Sequence, residues 1–291
     1  MILTVSPSIA YALGALLLYG LADFVYKRAA AAGAPPHQFL MVQTWFFNAL
    51  ALLYGIFSGT LVFNRGALWG TAAGVLVVIG YYNFAWSLRH GAVSTNATIF
   101  RLSFAITTAL AVLVLGEALT AQKVAGLVLA FFAVWLLLAA PAAGTATVEA
   151  NREHSASLAR VLIATVAVGF ASFTYKLGLR QGAAPIALVV AQGAVAMTLS
   201  TAFAFHIDRG IRPSRTALVH SPISAVLLVV AFTLLAKGLV RGEASVVVPI
   251  AQMGFVVTAL LGFIFLREPL TPRKLAGLFV ALLALTSLAW S

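Results

Sequence analysis

Cysteine is absent from all 291 residues, which excludes disulfides and thiolate metal sites. Charge is scarce as well: 9% of residues are Asp, Glu, Lys or Arg, against roughly a quarter in ordinary soluble domains. Acids are the scarcer sign, seven against eighteen bases, leaving a formal charge of +11. The five histidines are dispersed with no pair at metal-ligand spacing, so neither a metal nor another cofactor is expected. No polar stretch is long enough to fold as a soluble domain. The chain is 62% hydrophobic instead, and apolar runs near twenty residues recur along it. Composition therefore predicts an all-α, polytopic integral membrane protein.

The excess of bases does not point to nucleic acid. Lys and Arg stand at the ends of apolar runs, at the level of lipid headgroups, and form no basic stripe. The expected partners are a small-molecule substrate, membrane lipids and, for coupling, protons; oligomeric state is left open. The first run, SIAYALGALLLYGLADFVYK, is longer than a signal-peptide core, lacks a basic leader and shows no clear cleavage site, so it reads as a retained span.

Breaking the sequence at Gly, Pro and charge clusters yields ten apolar segments. Five lie near 8–30, 37–59, 67–88, 92–116 and 121–140, and five near 158–180, 185–206, 217–240, 244–266 and 272–290. The segment 141–156, PAAGTATVEANREHSA, reads as a linker between halves 1–140 and 157–291. The halves share residues at nearly constant offset. GLADFVYK at 20–27 matches GFASFTYK at 169–176, and Gly33, Ala34, Pro36 and Gln43 match Gly182, Ala183, Pro185 and Gln192, all at offset 149. Ser94, Ile99, Phe104 and Thr107 match Ser245, Ile250, Phe255 and Thr258 at offset 151. Matched polar residues, Gly and Pro make a duplicated unit the better reading than biased composition. Five spans per unit force the second to enter the membrane from the opposite face, so the expected architecture is ten transmembrane helices in two inverted five-helix repeats.

The clearest duplication is GEALTAQKVAGL at 116–127 against REPLTPRKLAGL at 267–278. Thr120 and Thr271 stand where an N-cap precedes the fifth helix of each half, with Pro272 at the tolerated first position. Glu117 and Glu268 are expected to serve that same helix start through its dipole. Gly126 with Ala130, and Gly277 with Ala281, form small-residue surfaces for close packing. This doubled phrase, closing each five-span unit, resembles the EamA-type proteins of the drug/metabolite transporter superfamily over essentially the whole chain. The resemblance implies a ten-helix fold and proton- or exchange-driven transport of amino acids, metabolites or drugs, commonly as export. It also implies cytoplasmic termini and a bacterial inner-membrane location.

Polar residues inside the spans are the candidate site. Call the membrane face holding connections 1–2, 3–4, 5–6, 7–8 and 9–10 the odd face, and the other the even face. At 1.5 Å per residue, Asp23, Arg101, Gln43 and Asn83 fall in one layer roughly 8–14 Å from the odd face. Ser94, Thr98, Arg101, Ala105 and Thr108 are expected on one face of the fourth helix. Tyr82 and Trp86 accompany Asn83 on the third, and Tyr19 and Tyr26 accompany Asp23 on the first. In the second half Ser172 stands for Asp23, Gln252 for Arg101, and Pro249 for Thr98, which should kink the ninth helix and free the Ser245 carbonyl.

The expected substrate-binding set is Arg101, Asp23, Gln43, Asn83, Tyr82, Trp86, Thr98 and Gln252, with Asp23 also the coupling residue. Structural readings stand beside it. Asp23 could pair with Lys27 four residues on, Arg101 could be a strut, Gln43 and Gln192 could join helices, and Tyr82 and Trp86 could be core or interfacial aromatics. No nucleophile motif or phosphate loop indicates an enzyme. The leading function is a secondary transporter, an exporter of amino-acid-like or anionic metabolites. Multidrug efflux is disfavoured because Arg101 repels cations, and a lipid-headgroup flippase would need a lateral opening. Cations weigh toward the odd face: Lys27, Arg28, Arg89, Arg152, Arg160, Arg209, Arg212, Arg215, Arg267, Arg273 and Lys274, against Arg65, Lys123, Lys176, Arg180, Lys237 and Arg241. The positive-inside rule thus puts the odd face in the cytoplasm, opposite to the resemblance.

Overall fold

The computed structural model describes residues 6–90, 96, 99–137, 148–266 and 271–290, and every described element is helical apart from turns. In chain order these are α1 (Pro7–Ala31), α2 (Pro36–Phe57), a 3₁₀ turn (Arg65–Ala67), α3 (Leu68–His90), α4 (Ser103–Leu115) and α5 (Ala121–Leu137). They continue with α6 (Val148–Arg180), α7 (Pro185–Asp208), α8 (Arg215–Arg241), α9 (Ala244–Gln252), α10 (Phe255–Leu266) and α11 (Pro272–Ala289). Among the described residues seven helical stretches are long and apolar enough to cross a membrane, and Ile99–Leu115, Ala121–Ala133 and Leu275–Ala289 are shorter apolar helices. The chain is an all-α, multi-pass membrane protein. Helix α6 begins at Val148, so the later part of the expected linker is helical.

Each spanning stretch buries about half of its apolar window and turns the rest outward, Phe57 being more than four-fifths exposed. Lipid solvates that outer surface, and helices satisfy the backbone internally. Helix–helix association then depends on close packing and on interhelical hydrogen bonds.

The repeated sequence produces repeated local structure. At the end of α1, Ala34 N–H bonds Ala29 O at 3.0 Å and Gly33 N–H bonds Ala30 O at 3.0 Å. At the end of α6, Ala183 N–H bonds Gly178 O at 3.1 Å and Gly182 N–H bonds Leu179 O at 3.0 Å. Both are Schellman turns, and both need a left-handed residue, supplied by Gly33 (φ 77°) and Gly182 (φ 78°). Pro36 and Pro185 then start α2 and α7, where a missing N–H costs nothing.

Packing joins the halves throughout. Helix α3 lies on α6 and α7, α8 lies on α1 and α2, α4 touches α9 and α6, and α1 touches α9 and α10. Helices α2 and α7 pair with each other, as do α5 and α11. The expected small-residue surface is used in that last pair, where Ala130, Ala133, Ala281, Ala284 and Leu288 have no solvent exposure. A Cβ added at Gly126 would lie 2.6 Å from Leu288 Cγ. Gly126→Leu should therefore overpack this seam, at a cost of about 1–3 kcal/mol. Thermal unfolding in detergent should show a lower midpoint and yield, with ligand affinity of the folded fraction intact. Normal stability with selectively lost affinity would place this seam in the binding site instead.

Candidate substrate site between two interrupted helices

One apolar helical stretch in each half is interrupted, and at corresponding places. Residues 99–101 are helical, Leu102 is a turn, and α4 restarts at Ser103. Helix α9 stops at Gln252, Met253 and Gly254 form the turn, and α10 restarts at Phe255. The hydrogen bonds across the breaks correspond at offset 151. Leu102 N–H bonds Ile99 O at 3.0 Å and Ala105 N–H bonds Leu102 O at 2.9 Å, while Met253 N–H bonds Ile250 O at 3.1 Å and Val256 N–H bonds Met253 O at 3.1 Å. These tightened i→i−3 contacts end one helical segment and begin the next. The expectation that Pro249 sets the kink is corrected here. The break falls at Met253, and its counterpart at Leu102 forms in a half with no proline at that position.

Close crossings hold these breaks in place. A Cβ on Gly20 would sit 2.5 Å from the Gly254 carbonyl oxygen and from Val257 Cβ, so only glycine lets α1 reach the break. In the other pair a Cβ on Gly169 would sit 2.7 Å from Ile106 Cβ and 2.9 Å from Ser103 O. Each crossing carries one threonine bond: Thr258 Oγ1 donates to Gly20 O at 3.0 Å, and Thr107 Oγ1 donates to Gly169 O at 2.9 Å.

One turn beyond Gly20 comes Asp23, and the residues just before the breaks are Arg101 and Gln252. The structure brings all three together. Arg101 Nε donates to Asp23 Oδ2 at 2.9 Å, its Nη2 meets Asp23 Oδ1, and Nη1 donates to Gln252 Oε1 at 2.7 Å. Arg101 is 1% exposed and Asp23 3% exposed. The guanidinium also lies 5.5 Å from the Tyr19 ring centre and 5.3 Å from that of Phe100. A planar, permanently charged fork with five donors suits this geometry, and lysine would not reproduce it.

Aromatic rings close the surroundings. Phe232 of α8 touches Tyr19 (5.6 Å), Phe47 (5.8 Å), Tyr175 (6.1 Å) and Tyr81 (6.5 Å), and Tyr81 touches Tyr26 and Phe100. Gln43 accepts from the Tyr26 hydroxyl, and Gln192 accepts from Tyr175 at 2.8 Å, so both glutamines join helices within their own half. Sequence reasoning missed Phe232, Tyr81 and Tyr175. The signal was present, since Tyr175 is the counterpart of Tyr26 and Phe232 the counterpart of Tyr81. It also missed the Ser103 hydroxyl, buried beside the break with no partner among the described residues.

Other expected members stand elsewhere. Asn83 Oδ1 accepts from Arg160 Nη1 at 3.0 Å, and the Arg160 guanidinium lies 5.9 Å from Tyr82 and 5.0 Å from Trp86. These three side chains gather on Arg160 of α6, not on Arg101. Thr98, with Ser94 and Glu268, lies outside the described residues. The expected single stripe on the fourth helix is interrupted at Leu102. Arg101 turns toward α1, while Ala105 and Thr108 line an apolar groove with Leu127 and Phe131 of α5.

The doubled phrase has a cross-half role that its sequence position did not suggest. Thr120 Oγ1 does accept from Lys123 N–H at 3.2 Å, as an N-cap of α5. Glu117, however, does not serve that helix: its two carboxylate oxygens accept from Ala244 N–H (2.9 Å) and Ser245 N–H (2.8 Å), capping α9 of the second half. The orphan donors of α9 are the stronger claim on a 6%-exposed carboxylate than a dipole alone. Lys123 pairs with Glu243 and donates to Ala118 O at 2.7 Å, and Lys176 donates to Leu239 O at 2.8 Å and to Gly242 O. The even face is thereby stapled around the start of the interrupted helix.

Paired interrupted helices around a buried, mutually neutralised charge pair define a membrane transporter, with no group of metal ligands among the described residues. The EamA-like transporter family model matches residues 6–139 and again 156–290, so the chain belongs to that family, a transport family and not a catalytic one. The uncharacterized protein MJ1333.1 of Methanocaldococcus jannaschii is 36% identical over 74 residues, which cover 25% of this chain and 54% of that relative. The chain thus spans about half the length of the curated relative it matches. A solved crystal structure superposes with a TM-score of 0.76 at 15% identity, covering 98% of this chain and 96% of the other, which fixes the shared fold.

Two stability measurements follow. Arg101→Ala strands a buried carboxylate and should cost about 3–5 kcal/mol, whereas adding Asp23→Asn should recover part of that loss. Additive losses in detergent unfolding would mean that the pair is not coupled. Glu117→Ala should cost about 1–2 kcal/mol and raise amide exchange in the first turn of α9 while leaving α5 unchanged. Faster exchange at the start of α5 alone would contradict the assignment.

Proposed function

We propose that this protein is a secondary transporter that exports small amino-acid-like or anionic metabolites by alternating access, across a bacterial inner membrane. The observation that carries the reading is Arg101 held on Asp23 and Gln252 between two interrupted helices. In this reading a substrate carboxylate takes the Arg101 fork, and Asp23, released from it, accepts a proton or an ammonium group. Charge is then conserved in the site whether the substrate is present or absent. The surrounding aromatic rings suit an apolar or flat substrate portion. Direction is taken from the family resemblance.

The same reading includes ten spans in two inverted repeats, 1–140 and 157–291, joined through 141–156. Three features support it. Exchanging each helix for its counterpart carries the most extensive pairings into one another: α3 on α6 into α8 on α1, α3 on α7 into α8 on α2, and α2 with α7 and α5 with α11 into themselves. Arg101 and Gln252, counterparts at offset 151, touch each other, as a two-fold axis through the site requires. Connection 1–2 meets 7–8 through His37 and Asp208 (3.0 Å), while 6–7 meets 2–3 through Asn64 and Gly182 (2.8 Å). A headgroup flippase is not favoured, because the lateral groove of about 350 Å³ between α4 and α5 is lined by apolar residues and Thr108, without Asp23 or Arg101.

Transport of a metabolite panel into and out of proteoliposomes tests the proposal. Arg101→Gln, whose amide can still donate to Asp23, should fold with reduced stability and should abolish uptake of carboxylate substrates. Asp23→Asn should keep exchange of substrate for substrate while losing dependence on the proton gradient. A double variant transporting carboxylates at the original rate would falsify the assigned roles.

A further inference from the structure

The end of α7 carries a backbone anomaly. Arg209 adopts φ 49°, and every other left-handed position among the described residues is a glycine. Its amide closes the helix on Phe205 O, a position where glycine is relaxed and a side chain is strained. Gly210 stands one residue too late to relieve it. An exposed arginine kept in a strained conformation points to a task for its side chain.

Beside it lies a groove of about 720 Å³, formed by Met197, Thr201, Phe205 and His206 of α7 with Trp45 of α2 and Ile211 of the following loop. From His206 to Met197 it runs about 14 Å along α7, from the headgroup level of the odd face into the hydrocarbon. Of its polar wall groups, Trp45 Nε1 donates to Thr201 Oγ1 at 2.7 Å and Thr198 Oγ1 donates to Ala194 O at 2.9 Å. What the groove offers is an apolar trough with a cationic mouth. Arg209, Arg212 and Arg215, all exposed, lie in the segment that runs on from His206 and flanks Ile211, two residues that line the groove. Gly210 leaves open the space into which Arg212 folds, its Nε 3.6 Å from where a Cβ would be. Asp208 is the acid of this segment, and its two oxygens are engaged by His37 (3.0 Å) and Gln38 (2.8 Å). The mouth therefore keeps a net positive charge over an apolar trough.

We propose that this is a binding site for an anionic phospholipid, one acyl chain lying in the groove and the phosphate held by Arg209 and Arg212. Charge complementarity selects the occupant, since a zwitterionic headgroup brings a cation into the same mouth. The site lies apart from Asp23 and Arg101 and does not rest on the proposed transport reading.

Purified full-length protein in detergent micelles is titrated with phosphatidylglycerol, phosphatidylcholine or inorganic phosphate, and followed by native mass spectrometry and thermal unfolding. Phosphatidylglycerol should bind selectively and raise the melting temperature, and phosphate alone should do neither, because it lacks the chain that fills the groove. Each arginine near an anionic surface accounts for about a fivefold effect, so Arg209→Gly with Arg212→Gln should weaken phosphatidylglycerol binding about 25-fold. Arg209→Gly alone should raise the melting temperature in phosphatidylcholine, where the strain is relieved and no anion is lost. Ala202→Phe, which fills the groove and keeps the arginines, should remove the selectivity as well. Equal binding of the two lipids, selectivity that survives Ala202→Phe, or a dimer that covers this face and excludes lipid would each overturn the proposal.

Discussion

A guanidinium that reaches no water must find its counter-charge and its acceptors inside the protein, and Arg101 imposes that condition on the centre of this fold. Its partners come from the first helix and from the second half of the chain. Meeting them requires that α1 approach the turn between α9 and α10 to van der Waals contact, which Gly20 and Gly254 permit. It also requires that both spans carrying Arg101 and Gln252 break where they do, because an unbroken helix would carry the following residues round the same face. The glycine crossings, the threonine bonds to glycine carbonyls and the paired turns are thus parts of one geometric solution.

The two faces of the molecule close differently. On the even face Glu117, Lys123, Lys176 and Glu243 form an ionic staple on the first turn of α9. On the odd face Asp208 is shared between His37 and Gln38, and Gln38 also accepts from the Ser214 amide at 2.9 Å. One end is thus held by two glutamates and two lysines, the other by an aspartate shared between a histidine and an amide.

Much of this was legible in the residues. Turn chemistry was local: Gly33 and Gly182 each precede a proline by three positions, and the Schellman turns follow directly. Asp23 and Arg101 were legible because an intramembrane charge needs a partner, and few are offered. Legibility failed where the deciding partner is remote. Glu117 looks like a neighbour of its own helix, yet the donors it serves lie 127 and 128 positions away. Asn83 was placed by depth and Tyr82 and Trp86 by nearness to it on one helix, and neither says which way that helix face points. Pro249 gave a strong local signal for a bend, while the break arises from a crossing that recurs without proline.

The contact between Arg101 and Gln252 constrains how such a site can have come to exist. The two residues occupy corresponding positions of the halves and meet directly, guanidinium to amide oxygen, at 2.7 Å. Two identical subunits would bring two identical side chains together there. Glutamine can bond its own copy, having both donors and an acceptor; arginine has five donors and no acceptor, and repels its copy besides. The charge is therefore compatible only with a chain whose halves have been joined and allowed to differ. Having the two halves in one chain is what lets one side of this contact be a cation and the other a neutral amide.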